Sequence, residues 1–146
     1  MAKHTPLSVL HKFYDAERVY TSAPAGSNPD FTPVGNMLSS DFYMEQSSEL
    51  PWAGTYHGPE SFKSFFDQAS EWCTIDVRDP EILEKEGSDK IVVLSTIYYF
   101  CRKTGETPSF PLSQTFVIDT ERGLIREIRS FYWDIKKLNV AMGYAK

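Results

Sequence analysis

Three polar residues stand where the surrounding pattern is apolar, and each could handle a proton. Glu49 lies in Glu49-Leu50-Pro51-Trp52, a carboxylate flanked by apolar side chains ahead of a glycine-rich stretch, Ala53 to Gly58. Partial loss of water would raise its pKa toward the range useful for moving protons; otherwise it is a plain exposed loop glutamate. Gln114 interrupts the row Phe110, Leu112, Gln114, Phe116, Ile118 on one face of a strand. It therefore points into a core or a cavity, as a hydrogen-bonded core amide or as a donor to a ligand. Asp134 follows Phe131, Tyr132 and Trp133, and shares a strand face with Ile128, Ser130 and Tyr132 if no bulge intervenes. It reads as a base at a strand end or as the N-cap of a closing helix, and one residue can be both. The chemistry open to this set is transfer of a proton by a partly desolvated carboxylate, with amide and phenol groups as hydrogen-bond partners. Tyr14 and Tyr20 are candidate phenols, while Glu45, Tyr56 and His57 lie near Glu49 in sequence. His57, just before a helix start, suits a loop or capping role.

Elements that would position these residues follow from periodicity. Val9, Phe13, Ala16 and Tyr20 recur at helical spacing after Thr5-Pro6, a capping hydroxyl followed by proline. The stretch Ser22 to Pro29 is a surface loop, with a short helical turn expected over Phe31 to Leu38 and a strand over Asp41 to Ser47. A second helix is predicted over Pro59 to Trp72, where Phe62, Phe65, Phe66, Ala69 and Trp72 form an apolar stripe suited to packing on a sheet. Four β-rich runs follow: Thr74 to Glu84, Ile91 to Arg102, Ser109 to Asp119 and Leu124 to Trp133. Short glycine-containing turns separate them, which predicts an antiparallel meander. Ile135 to Met142 closes the chain as one helix. Helices first and long strands after mean α+β. A long twisted sheet bends over its covering helices and leaves a cone, the usual form of a small-molecule site.

Composition narrows the function classes. With 146 residues, 41% of them hydrophobic, the chain suits one domain over 1–146 with a core and a modest cavity. A net charge of −5 argues against nucleic-acid binding, which needs a basic face. No apolar run approaches the roughly 18 residues of a membrane span, and Met1 to Pro6 lacks an apolar leader. A cytoplasmic protein is expected, with Cys73 and Cys101 as two ordinary thiols. His4, His11 and His57 lack metal-ligand spacing, and no nucleotide- or phosphate-binding motif is present. No cofactor is expected.

The run Gly54-Thr55-Tyr56-His57-Gly58-Pro59-Glu60-Ser61-Phe62-Lys63-Ser64-Phe65-Phe66 resembles the G-x-Y-x-G-P-E-x-F-x-x-F-F stretch of the SnoaL-like polyketide cyclase family. Ile125 to Asp134, followed by Leu138 and Gly143, is similar to that family's last strand and tail. The resemblance spans Leu7 to Gly143, with a proline-rich insertion near Ala23 to Pro33. It implies the cone-shaped α+β barrel shared with ketosteroid isomerase and nuclear transport factor 2, a fold that hosts many activities. The aldol cyclases' base falls on or near Asp134. The ketosteroid isomerase base falls in the Glu49 loop, with one extra residue before Gly58. That enzyme's oxyanion-holding acid aligns with Gln114 if the next hairpin is one residue longer, and its tyrosine falls near Phe13 or Tyr14. The Asp-Arg-Asp triad of the epoxide hydrolases finds no match around Arg102 or Arg126.

The resemblance thus implies a cofactor-independent isomerase or cyclase of secondary metabolism, acting on a hydrophobic polycyclic, polyketide-like or terpenoid-like carbonyl compound. Asp134 or Glu49 is the base, Gln114 a donor, and Tyr14, Trp52, Tyr56, His57, Phe110, Phe116 and Tyr132 contact substrate. The alternatives are a non-catalytic binding or dimerisation module of the same fold, or an epoxide hydrolase or dehydratase. Val92, Leu94, Tyr98 and Phe100 fall on one strand face and Ile91, Val93, Ile97 and Tyr99 on the other. With both faces apolar, one should line the cone and the other a homodimer interface.

Overall fold

The computed structural model describes residues 4–144; Met1–Lys3, part of the start expected to lack a leader, lie outside them. Helix α1 (Pro6–Ser22) begins as its sequence dictates. The Thr5 hydroxyl accepts from the Ser8 N–H at 3.1 Å, and the Ser8 hydroxyl accepts from the Thr5 N–H at 3.1 Å. A single turn, α2 (Thr32–Gly35), leads into strand β1 (Leu38–Gln46). Strand β2 (Gly54–His57) turns directly into helix α3 (Gly58–Trp72). Gly58 has φ +80°, which a side chain would strain, so the abrupt strand-to-helix turn needs glycine there. Strands β3 (Cys73–Glu84), β4 (Lys90–Cys101), β5 (Ser109–Asp119) and β6 (Leu124–Tyr132) form the meander, and α4 (Ile135–Met142) closes the chain.

The meander β3 to β6 is antiparallel as expected, but the whole sheet is mixed. Its order is β2-β1-β6-β5-β4-β3, and β1 runs parallel to β6, with Met44 opposite Ile128 and Glu45 opposite Arg129. After β1 and β2, α3 carries the chain across to β3, and the meander then returns strand by strand until β6 lies beside β1. A crossover of that kind permits parallel pairing, which a hairpin does not. The glycine-rich stretch after Trp52 is also more than a turn, since Gly54–His57 pairs with β1 as an edge strand.

Helices α1 and α3 cover the concave face. The α3 stripe is core: Phe62 sits 4.6 Å from Phe66 and 5.0 Å from Phe42 between ring centroids. Strand β4 buries Ile91, Val93, Ile97 and Tyr99 inward, while Leu94 and Phe100 are 40% and 47% exposed outward. The alternation expected for this strand is therefore found. Among the described residues no helix is long and apolar enough to cross a membrane.

Candidate functional site

The cone between the helices and the sheet holds a cavity of about 20 Å³, room for about one water molecule. Its polar lining is Glu17, Gln46, Tyr99, Gln114, Ser130 and Tyr132, set among apolar side chains such as Phe13, Phe62 and Ile97. Each comes from a strand or helix face that local sequence fixes. Gln114 and Ser130 are opposite one another on β5 and β6. Gln46 continues the inward row Phe42 and Met44 on β1.

Two hydrogen-bonded chains organise these groups. The Tyr14 hydroxyl donates to Gln114 Oε1 at 2.7 Å, and Gln114 Nε2 donates to the Ser130 hydroxyl at 2.9 Å. The Tyr132 hydroxyl donates to Gln46 Oε1 at 2.8 Å. Burial raises the pKa values of Tyr14, Tyr99 and Tyr132, so all three phenols keep their protons.

Glu17 is the carboxyl that lines the cavity, and it is not among the residues singled out from sequence. It is 8% exposed, and its carboxyl makes no hydrogen bond with the described residues. Burial strips water from its charged form and the nearby Asp76 charge adds to the effect, pushing its pKa up to about 8. Thr21 holds this part of α1 against the sheet: its hydroxyl donates to the Glu17 carbonyl at 2.9 Å and accepts from the Ile75 N–H at 3.0 Å. The signal was present in the sequence. Glu17 lies four residues after Phe13 and three before Tyr20, a carboxylate inside the apolar stripe of an amphipathic helix.

Of the residues singled out from sequence, Gln114 and Tyr132 line the cone, and Tyr14 reaches it through Gln114. Asp134 does not. The β6 strand ends at Tyr132, Asp134 adopts φ −144° and ψ 84°, and its carboxylate accepts from the Lys137 N–H at 2.9 Å as the cap of α4. It borders an outer groove of about 740 Å³ beside Pro108 and Val140. Glu49 is also outside the cone: its side chain is exposed, and its backbone carbonyl accepts from Asn139 Nδ2 at 2.7 Å. The apolar neighbours that suggested desolvation, Leu50 and Trp52, turn inward and leave the carboxylate in water.

The remaining expected contacts divide in the same way. Phe116 packs edge-on against Tyr14, and Phe110 lies 5.9 Å from Tyr99, so both form walls behind the cavity. Trp52 and Tyr56 are core residues, the Tyr56 hydroxyl donating to the Trp52 carbonyl at 2.8 Å. His57 is exposed and rests on Tyr43. Arg102 donates to backbone carbonyls, and Arg126 pairs outside the cone with Asp41 and Asp89. Neither arginine belongs to the cavity.

A groove of about 600 Å³ lies against Glu45, Thr55, Arg129 and Phe131 and shares Gln46 and Ser130 with the cavity. The seam between β1 and β6 is thus where the interior comes nearest to an outer groove.

No family model matches the chain, and no curated protein matches it. Solved structures do. A nuclear transport factor 2-like protein of unknown function from Burkholderia pseudomallei is 16% identical over 93% of this chain and 95% of its own, with a TM-score of 0.73. A Xanthomonas campestris protein provisionally named a polyketide cyclase is 14% identical over 93% and 95%, with a TM-score of 0.71. TerC, co-crystallised with polyporic acid, is 13% identical over 94% and 97%, with a TM-score of 0.73. At these identities the likeness is one of architecture, and it agrees with the mixed sheet wrapped over α1 and α3. The chain has the nuclear transport factor 2-like fold.

Proposed function

We propose that the protein is a cofactor-independent proton-transfer enzyme of the isomerase or cyclase type, acting on a hydrophobic carbonyl compound, with Glu17 as its acid–base group. The observation that carries this reading is a carboxyl with a pKa near 8, held without a hydrogen-bond partner in an apolar cone beside phenols and amides. Above that pKa the carboxylate is a strong base for its setting and can take a proton next to a carbonyl. The Gln114 amide, oriented by the Tyr14 hydroxyl, supplies a donor for the oxygen that becomes negative, and Glu17 returns the proton elsewhere on the enolate or leaves it to attack an internal electrophile. This reading keeps the chemistry expected from the sequence and moves the base from Asp134 or Glu49 to Glu17. A polyketide-like or terpenoid-like compound of secondary metabolism, in a cytoplasmic protein, remains the substrate class proposed.

A cavity of about 20 Å³ favours a second reading, a non-catalytic module whose cone is filled by its own side chains. Under the enzyme reading, substrate must widen the cone from the β1–β6 seam. In either case we propose a homodimer joined through the outer sheet face, where Leu94, Phe100 and Phe131 are exposed.

Incorporation of deuterium next to the carbonyl of 1-tetralone in heavy water, followed by proton NMR, separates the two readings. An enzyme accelerates exchange, and Glu17→Gln abolishes the acceleration. Exchange equal to buffer for tetralone and for larger polycyclic ketones sinks the enzyme reading in favour of the module.

A further inference from the structure

Cys73 and Cys101 are direct partners across β3 and β4, both fully buried and both free thiols. Their backbone setting is specific. The Arg102 N–H bonds to the Trp72 carbonyl at 2.9 Å, just outside the pair. The Cys73 N–H turns back to Ala69, and the Cys101 N–H bonds to Glu106 on the opposite side. Neither cysteine therefore bonds to the other through its backbone, and they form a non-hydrogen-bonded antiparallel pair. In such pairs the Cα atoms approach to about 4.5 Å, inside the roughly 4.4–6.8 Å span that a disulfide bridges. Both side chains project to the same concave face, as Ile75 and Tyr99 do beside them. The Cys73 thiol rests 3.7 Å from the Ala69 carbonyl, a weak contact that rotation about χ1 releases.

We infer that Cys73 and Cys101 are a redox modification site, closing to an intramolecular disulfide under a disulfide or peroxide oxidant. With glutathione disulfide the reaction is two successive thiol–disulfide exchanges. One cysteine loses its proton and attacks the oxidant, releasing one glutathione and leaving a mixed disulfide. The second cysteine then displaces the other glutathione. The protein gives up two electrons and two protons, and two glutathione thiols receive them.

Cys101 is the first attacker, because it lies at the strand end beside the Arg102–Gly105 turn, whereas Cys73 is enclosed under α3. Burial raises the pKa of Cys101 to about 11 and lifts that of Cys73 well above the ordinary thiol value, so the native protein reacts slowly and faster as pH rises. The bond would join the end of α3 to the end of β4, closing the β3–β4 hairpin into a ring. Constraint of the unfolded chain then adds stability that the reduced protein lacks.

The test has two arms with the full chain. In one, native protein is held with glutathione disulfide at about pH 9. In the other, reduced denatured protein is refolded with a glutathione redox buffer, where burial cannot limit access. Expected in the refolding arm is simultaneous loss of both alkylatable thiols, a mass lower by two hydrogen atoms, and no glutathione adduct. The thermal midpoint rises by several degrees, and dithiothreitol reverses both changes. Cys73→Ala and Cys101→Ala, each read for folding by circular dichroism, then give only mixed disulfides or none. Two free thiols, a lone adduct or intermolecular dimers after refolding of the unmodified chain would overturn the inference. A native arm that stays reduced while the refolding arm closes confines the reaction to the unfolded or opened chain and rules out switching of the folded protein.

Discussion

Tyr14 and Gln114, 100 residues apart in sequence, are joined by a buried hydrogen bond of 2.7 Å that ties α1 to β5 across the cone. Removing either partner strands the other away from water. Tyr14→Phe and Gln114→Leu should each lower stability by about 1–3 kcal/mol. The double substitution should cost clearly less than their sum, by at least about 0.5 kcal/mol. Urea unfolding of the four proteins measures this directly, and strict additivity would mean that the bond contributes nothing.

Glu17 makes stability depend on pH in an unusual direction. Its folded pKa of about 8 lies above the ordinary carboxylate value, so between those two points the native protein holds a proton that the unfolded chain has lost. The stability linked to that proton is complete below the ordinary carboxylate pKa and is lost as pH rises through about 8. Glu17→Gln should therefore match the parent in acid and exceed its stability by a few kcal/mol in mild alkali. The same group sets the activity profile: under the proposed chemistry the rate climbs with pH to a plateau above about 8. A parent and variant whose denaturation midpoints run parallel across pH would show that Glu17 titrates normally.

The periodic elements were legible in sequence because their side chains face one dominant environment each. Ser109–Asp119 and Ile135–Met142 match the expected bounds, and the inward row with Gln114 is the one observed. The parallel pairing of β1 with β6 was not legible, since it depends on where α3 delivers the chain and not on any local pattern. For the site, a polar residue interrupting an apolar face is the legible signal: Gln114 gives it on β5, and Glu17 gives it equally on the buried stripe of α1. Asp134 and Glu49 stand beside aromatic residues in sequence, but those aromatics are not their neighbours in space. At Trp133, 77% exposed, and at Trp52, fully buried, the chain turns the aromatic away from the carboxylate's surroundings.

Asp134 has a measurable job that is independent of chemistry in the cone. As the side-chain cap of α4, it should cost about 1 kcal/mol when changed to alanine. Glu49→Gln, in an exposed loop, should change stability by no more than about 0.5 kcal/mol. Both variants should retain full deuterium exchange if the parent shows it. Loss of exchange in Asp134→Asn, with its cap function largely kept, would return the base to the strand end and displace Glu17 from that role.

Arg102 fixes the ends of two helices at once. Its guanidinium donates to the carbonyls of Ser70 at 2.6 Å, Thr21 at 2.6 Å and Ala23 at 2.8 Å, so the last turns of α1 and α3 share one charged clasp. These carbonyls sit at helix C-termini, where a cation is favoured by the unsatisfied acceptors and the helix dipole. Arg102→Ala should destabilise the protein by roughly 3 kcal/mol, and Arg102→Lys should recover only part of that, because an ammonium cannot reproduce the planar fork. Because Thr21 also anchors the Glu17 turn to Ile75, loosening this clasp should reach the cone. Amide hydrogen exchange is the sensitive readout. Protection should fall first at the end of α1, and a uniform fall across the chain would instead mark Arg102 as contributing only to global stability.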